Sequence, residues 1–157
     1  RQYRVKRAGQ EDQEFVQMLL LKVDRLPVDL VLAQAAMESA WGSSRFATQG
    51  NNYFGQWCFS EGCGLVPSQR GEGARHEVRR FATPAGSVNA YMRNINSHPS
   101  YHLLRDLRYK NRTNGRVASG GDLAEGLVGY SQMGGEYVVA IRNIIKNNHL
   151  HQLVVGI

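Results

Sequence analysis

The sequence lacks the long apolar stretches of a membrane protein, because no run in its 157 residues approaches the roughly 18–20 apolar residues of a membrane-spanning helix. Its composition also argues against intrinsic disorder, since hydrophobic residues make up 42% of the chain and charged residues only 20%. The length is that of one ordinary domain. We therefore expect residues 1–157 to form a single monomeric domain without a membrane span, in which residues 1–10 are a flexible extension.

Signatures of metal, phosphate and nucleic-acid chemistry are missing as well. The five histidines include no His-Glu-x-x-His run, and no glycine-rich loop carries the lysine that phosphate cradling needs. No helical stretch concentrates Lys and Arg on one face, as a helix-turn-helix DNA reader would. We therefore expect no metal, no organic cofactor and no nucleic-acid partner.

Acidic residues are in deficit, with 13 Asp and Glu against 19 Lys and Arg, so the formal net charge is +6. Such a charge favours an anionic partner, which can be a nucleic acid, an acidic membrane face or an acidic polymer such as the bacterial cell wall. A solubilising surface explains the same charge equally well. Charge alone does not choose among these partners.

Cysteine is scarce, since only Cys58 and Cys63 occur, five positions apart and flanked by glycines. Two thiols cannot complete a tetrahedral zinc site, and the spacing favours a small loop closed by a disulfide over two unpaired thiols. A disulfide would indicate an oxidising compartment. Because the chain begins with Arg1 rather than Met, we expect any targeting segment to lie upstream.

Hydrophobic periodicity predicts a mostly helical α+β domain with one β-hairpin. The predicted helices cover 11–25, 28–41, 84–98, 101–109, 122–128 and 136–148. The helical period disappears between 50 and 80, where six glycines occur. Short strands at 65–70 and 76–81 around a turn predict a hairpin lobe over about 56–82.

Glu38 is the unusual residue of the chain, since a carboxylate ends the otherwise apolar predicted helix that begins at Val28. Burial disfavours a charged carboxyl, and the negative end of the helix dipole repels an anion, so both effects keep the proton in place. A carboxyl protonated near neutral pH is what a general acid for glycosidic cleavage requires. The common alternative for a helical Glu is a solvated side chain.

Two segments around Glu38 give this residue its context. The sequence QAAMESAWGSSRFA at 34–47, followed by NNYFG at 51–55, resembles the family-73 glycoside hydrolases, which are bacterial β-N-acetylglucosaminidases of lysozyme-like fold. Residues 57–64 and 76–78 are most similar to the Bax-type branch of that family. The resemblance covers roughly residues 26–150. It implies a helical domain with a β-hairpin lobe over an active-site cleft.

The resemblance implies roles for individual residues. Glu38 matches the catalytic general acid, and a second carboxylate is expected on the hairpin, across the cleft. Among Glu61, Glu72 and Glu77 we favour Glu77, because it lies in a predicted strand, whereas Glu72 lies in a Gly-Glu-Gly turn. Tyr130 matches a tyrosine that helps to hold the N-acetyl sugar.

Aromatic and amide side chains near the expected cleft are candidates for contact with sugar rings. The expected substrate-binding residues are Trp41, Asn52, Tyr53, Phe54, Trp57 and Tyr137. Packing of the helix end against the loop is the alternative for Trp41, and a turn is the alternative for Asn52. For Tyr137 the alternative is a core ring under the last helix.

The resemblance implies an exported protein, in the periplasm or cell envelope of a bacterium, that hydrolyses peptidoglycan glycan strands as an endo-β-N-acetylglucosaminidase. Glu38 would protonate the glycosidic oxygen, and Glu77 would activate water or stabilise the oxocarbenium-like transition state. Attack by the acetamido oxygen of the substrate is the other route. The alternative functions are a lytic transglycosylase on the same polymer and a wall-binding module without turnover.

Overall fold

The computed structural model describes residues 3–6, 9 and 11–154 of the chain. The predicted flexible extension at 1–10 therefore lies partly outside the described residues. Two of its described residues contact the rest of the chain, since the carbonyl oxygens of Tyr3 and Arg4 accept hydrogen bonds from the Lys22 ammonium, at 3.2 Å and 3.3 Å.

The described chain is mostly helical with a small antiparallel sheet, so the predicted α+β class is confirmed. The α-helices are α1 (Asp12–Lys22), α2 (Val28–Glu38), α3 (Arg45–Gly50), α4 (Pro84–Ser97), α5 (His102–Thr113), α6 (Gly120–Leu123) and α7 (Gly135–Asn147). The strands are β1 (Trp57–Cys58), β2 (Gly64–Leu65) and β3 (Glu77–Arg79). Short 3-10 helices cover Pro99–Tyr101, Ala124–Leu127 and Leu150–Val154. No helix in the described residues has both the length and the apolar character that a membrane crossing requires.

The start of α4 follows directly from its sequence. The Thr83 hydroxyl oxygen accepts a hydrogen bond from the Gly86 amide at 3.2 Å, and Pro84 occupies the first helical position, where its missing N–H costs nothing. The helix predicted over 122–128 begins two residues earlier, as α6. Ser119 is the N-cap, and Asp122 closes a capping box with it.

The sheet contains one strand more than the predicted hairpin, in the order β1-β3-β2. Val78 in the central strand faces Trp57 on one side and Leu65 on the other. The predicted strand at 65–70 is wrong beyond Leu65, because residues 66–76 carry no strand pairing. Gly64 is required at its position, since a Cβ there would lie 2.0 Å from the Val78 carbonyl oxygen.

The chain divides into two compact units, whose boundaries fall inside α2 and α4. The first unit comprises Arg1–Ala33 with Met92–Ile157, and the second comprises Gln34–Tyr91. The core of the first unit contains the fully buried side chains of Leu30, Leu104, Leu123, Leu127 and Ile141. The core of the second unit contains Ala47, Phe54, Val78, Phe81 and Tyr91.

Candidate active site

Glu38 is the last residue of α2 and is half-buried. The helix ends here, three residues earlier than predicted, because Ala40, Trp41 and Gly42 take left-handed backbone conformations with φ of 50°, 58° and 78°. Such φ values are unfavourable for Ala and Trp and stop helix propagation. The chain therefore turns sharply directly after the Glu38 carboxyl.

Ser39 closes this turn. Its hydroxyl oxygen accepts a hydrogen bond from the Gly42 amide at 2.8 Å, and its carbonyl accepts one from the Ser44 amide at 3.0 Å. Ser44 in turn caps the short helix α3, since its hydroxyl accepts the Ala47 amide. The Glu-Ser pair thus joins a candidate acid to the residue that fixes the helix end.

The backbone of the loop after α3 lies directly beside the Glu38 carboxyl. Gly55 has φ of +63°, and a Cβ built there would lie 3.4 Å from Glu38 Oε2. A side chain at position 55 would therefore be strained by its backbone, and its Cβ would be in van der Waals contact with the carboxyl. The backbone of the Asn-Tyr-Phe-Gly motif thus lies against one side of the Glu38 carboxyl.

Asn52 holds this loop in shape. Its amide nitrogen donates to the carbonyl oxygens of Gln56, at 2.9 Å, and Arg79, at 2.8 Å. Its amide oxygen accepts the amides of Phe54, at 3.3 Å, and Gln56, at 3.1 Å. The side chain is 1% exposed and all four of its hydrogen-bonding positions are used by backbone groups. Asn52 therefore positions the loop, and its direct contact with sugar stays a prediction.

Phe54 belongs to the core rather than to the surface, since it is 3% exposed and stacks on Tyr91 with ring centroids 4.0 Å apart. The buried Tyr91 hydroxyl donates a hydrogen bond to Gln34 Oε1, one helical turn before Glu38. Tyr53 is half-buried, and its amide donates to the Ser87 hydroxyl at 3.2 Å. Contact of these two rings with sugar stays a prediction.

Three aromatic side chains of the second unit are exposed, namely Trp41 at 65%, Trp57 at 58% and Phe59 at 73%. The Trp57 ring stacks on His76 with centroids 3.9 Å apart, which fixes its orientation. Flat, exposed rings of this kind can stack on sugar faces. Phe59, which lies between the two cysteines, is not among the residues predicted from the sequence to contact sugar.

Cys58 and Cys63 form a disulfide with Cα atoms 6.2 Å apart, as predicted. The buried Glu77 carboxylate lies beside this loop and accepts the amides of Gly62, at 2.9 Å on Oε1, and Gly64, at 2.7 Å on Oε2. These two hydrogen bonds, and to a smaller extent the Arg70 guanidinium, lower the pKa of Glu77 from its usual 4.5, although burial opposes them. The ionised Glu77 carboxylate therefore holds the disulfide loop through the Gly62 and Gly64 amides.

The role of Glu77 as second catalytic carboxylate stays a prediction. Its strand position is as expected, since it lies in β3 opposite Cys58. Both of its oxygens are engaged by the loop amides, which gives it a positioning role whatever else it does. The other two candidates, Glu61 and Glu72, are exposed in turns.

Tyr130 and Tyr137 belong to the first unit, where their rings stack with centroids 5.4 Å apart. Tyr137 is 1% exposed on α7, which matches the core ring that was its alternative reading. Tyr130 is half-buried and also contacts Tyr101, at 5.9 Å between centroids. The contact of both tyrosines with sugar stays a prediction.

Comparison with known proteins gives a family and a curated relative. A family model described as "Glucosaminidase: Mannosyl-glycoprotein endo-beta-N-acetylglucosaminidase" matches residues 14–150. Protein bax of Escherichia coli (strain K12) is 33% identical over 137 residues, which cover 87% of this chain and 48% of that relative. The chain thus spans about half the length of the curated relative that it matches. No solved structure matches it.

Proposed function

Because this chain belongs to the endo-β-N-acetylglucosaminidase family of glycoside hydrolases, we propose that it hydrolyses the glycan strands of bacterial peptidoglycan. The glucosaminidase activity rests on the family match over residues 14–150, a range that includes Glu38 and the loop beside it. The net charge of +6 supports an anionic wall polymer as the substrate. Release of soluble fragments from purified peptidoglycan, but not from mannose-rich glycoprotein, tests this choice.

In the proposed mechanism Glu38 is the general acid. Its carboxyl donates a proton to the glycosidic oxygen as the bond to the anomeric carbon breaks. The end of α2 positions the carboxyl, because Ser39 closes the turn and Gly55 brings the loop backbone close to one carboxyl oxygen. The exposed faces of Trp41 and Trp57 supply platforms for sugar rings.

The second step can follow either of two routes, which differ in stereochemistry. A hairpin carboxylate that activates water inverts the anomeric centre, whereas attack by the substrate acetamido oxygen retains it. The hydrogen bonds from the Gly62 and Gly64 amides lower the pKa of Glu77, which makes it a weaker base for the water proton and supports the acetamido route. NMR of the first product decides, because retention releases the β-anomer and inversion the α-anomer.

The decisive variant is Glu38→Gln, assayed on purified peptidoglycan. We expect its turnover to fall by a factor of about 10² or more, the usual contribution of a positioned general acid. Glu14→Gln is the matched control, because Glu14 is an exposed glutamate on α1. A Glu38→Gln variant that cleaves as fast as the parent overturns the proposed mechanism.

Product analysis separates the proposal from its two alternatives. Hydrolysis leaves a reducing N-acetylglucosamine end, whereas a lytic transglycosylase leaves a 1,6-anhydro sugar. Binding to the wall without soluble fragments would indicate a binding module. The role of Tyr130 in holding the N-acetyl group is tested by Tyr130→Phe, which should raise KM.

We extend the proposal to location and organisation. The Cys58–Cys63 disulfide supports export to the periplasm or envelope, where such bonds persist. The chain is proposed to act as one monomeric glucosaminidase domain. Size-exclusion chromatography with light scattering and a single cooperative unfolding transition would support this organisation.

A further inference from the structure

A cavity of about 290 Å³ lies in the first compact unit, and its lining contains none of the candidate active-site residues. Its lining comprises Asp24, Arg25, Leu26, Pro27, Val28, Arg108, Arg112, Arg116, Val117, Ala118 and Ser119. The volume is close to the lower end of small-molecule pockets, which begin at about 300 Å³. The cavity can therefore hold a group the size of one or two amino-acid residues.

The lining is strongly basic, because four arginines face a single acidic residue, Asp24. Arg108, Arg112 and Arg116 recur every fourth position, along α5 and just beyond its end. The Asp24 carboxylate is already neutralised, since Arg112 Nη1 contacts it at 2.7 Å and Arg108 Nε at 3.7 Å. The excess positive charge is thus left for a ligand.

Two of the four arginines are held rigidly by the chain itself. Arg108 donates to the carbonyl oxygens of Leu21, at 3.2 Å, and Arg25, at 3.3 Å, and Arg112 donates to that of Leu20, at 3.1 Å. These carbonyls belong to the last turn of α1 and the residues after it, where acceptors lack helical partners. The basic wall of the cavity is therefore pre-organised.

The other two arginines are available to a ligand. Arg25 and Arg116 are exposed, and within the part of the chain that the structure describes neither guanidinium takes part in an ion pair. Beside them the wall is apolar, with Val28 39% exposed and Val117 70% exposed. The cavity thus offers cations next to exposed aliphatic surface.

We propose that this cavity binds a carboxylate-bearing peptide through Arg116 and Arg25. The planar guanidinium fork matches a carboxylate in a bidentate arrangement. The valines favour a peptide in which a small aliphatic residue adjoins the residue that bears the carboxylate. Inorganic phosphate has no such aliphatic group. The site does not use Glu38, so peptide binding and glycan cleavage can fail separately.

The test is a titration followed by NMR of the amides of Val117 and Ala118. The probe is the dipeptide acetyl-Ala-Glu, and the neutral control is acetyl-Ala-Gln amide, which has nearly the same shape. We expect saturable shifts with the acidic probe and none with the neutral one. Arg116→Gln should weaken binding about tenfold, the contribution of one charge-assisted hydrogen bond.

Arg75→Gln is the matched control, because Arg75 is an exposed arginine that does not line the cavity. It should bind the dipeptide like the parent protein, and so should Glu38→Gln. Unchanged affinity in Arg116→Gln, equal binding of the neutral peptide, or no saturable binding at all overturns the proposal. Inorganic phosphate that binds as tightly as the dipeptide overturns it too, because the site would then recognise anions without regard to the peptide.

Discussion

Gly55 lies so close to Glu38 that a Cβ on it would be 3.4 Å from the carboxyl oxygen Oε2. That distance is ordinary van der Waals contact, so a methyl group at position 55 would fill the space beside one oxygen of the Glu38 carboxyl. The backbone adds a second constraint, because φ of +63° is a conformation that L-residues rarely adopt.

Gly55→Ala should therefore reduce turnover on peptidoglycan more than it reduces stability. The methyl group would contact the Glu38 carboxyl and limit access to it, while the backbone strain costs about 1 kcal/mol. Gly115→Ala is the matched control, since Gly115 has φ of +68° and nothing within 4 Å of its Cβ position. Both variants should lose similar stability in urea unfolding. Equal turnover in the two variants would contradict the assigned role of Gly55.

Stability should depend on pH through Glu77. Its pKa is lowered in the folded state by the Gly62 and Gly64 amides, so it binds a proton less readily when folded than when unfolded. Its contribution is therefore fully present above the unfolded value near 4.5 and is lost as the pH falls through the lower folded value. Urea unfolding from neutral to acidic pH measures this loss.

In Glu77→Gln this part of the pH dependence should vanish, and the neutral-pH midpoint should fall. Glu72→Gln should keep the parent profile, because Glu72 is exposed. Turnover of the same variants decides the catalytic question. If Glu77 is the second carboxylate, its variant loses turnover beyond what the lowered stability explains, and Glu72→Gln loses none.

The disulfide should stabilise the protein only modestly. A loop with a sequence separation of five residues gains about 2 kcal/mol or less from restricting the unfolded chain. Native protein should resist alkylation, and both Cys58 and Cys63 should react after reduction. Cys58→Ser with Cys63→Ser, combined with Glu77→Gln, forms a double-mutant cycle. Additive losses in the free energy of unfolding would show that the Glu77 hydrogen bonds and the disulfide hold the loop independently. We expect the two losses to be coupled instead.

Arg108→Met should be among the most destabilising single changes in the first unit. Burial is the largest cause that lowers the pKa of Arg108 to about 10, so the guanidinium has little water and relies on carbonyl partners. Removing it leaves those carbonyls without donors, at a cost of about 1–3 kcal/mol for a buried group. Arg93→Met, at an exposed position on α4, should change the urea midpoint little.

Local signals predicted part of this structure well. The start of α4 at Pro84, the start of α2 at Val28 and the Cys58–Cys63 pairing each depend on neighbours within a few positions. The short elements were not predicted, because they depend on contacts between residues that are far apart in the sequence. A two-residue strand such as β1 has no periodicity, and its existence depends on Val78, which is 21 positions after Trp57.

The chemistry of single side chains was harder to predict than their location. Phe54 and Trp57 are both aromatic residues near one motif, yet Phe54 is buried against Tyr91 and Trp57 is exposed on His76. Asn52 has the hydrogen-bonding groups for a sugar, but Arg79 uses one of them through its carbonyl. Burial and partner choice depend on contacts that sequence spacing does not encode.

The arginine contacts at the end of α1 also bear on the order of events during synthesis. Helix α1 fully buries no residue of its own, and the arginine partners of its last carbonyls lie 83 to 92 positions further along the chain. The ribosome therefore releases α1 long before α5 exists to complete it. We therefore expect α1 of the nascent chain to lack the donors for its last carbonyls until α5 emerges, so the C-terminal end of α1 should be completed late in folding.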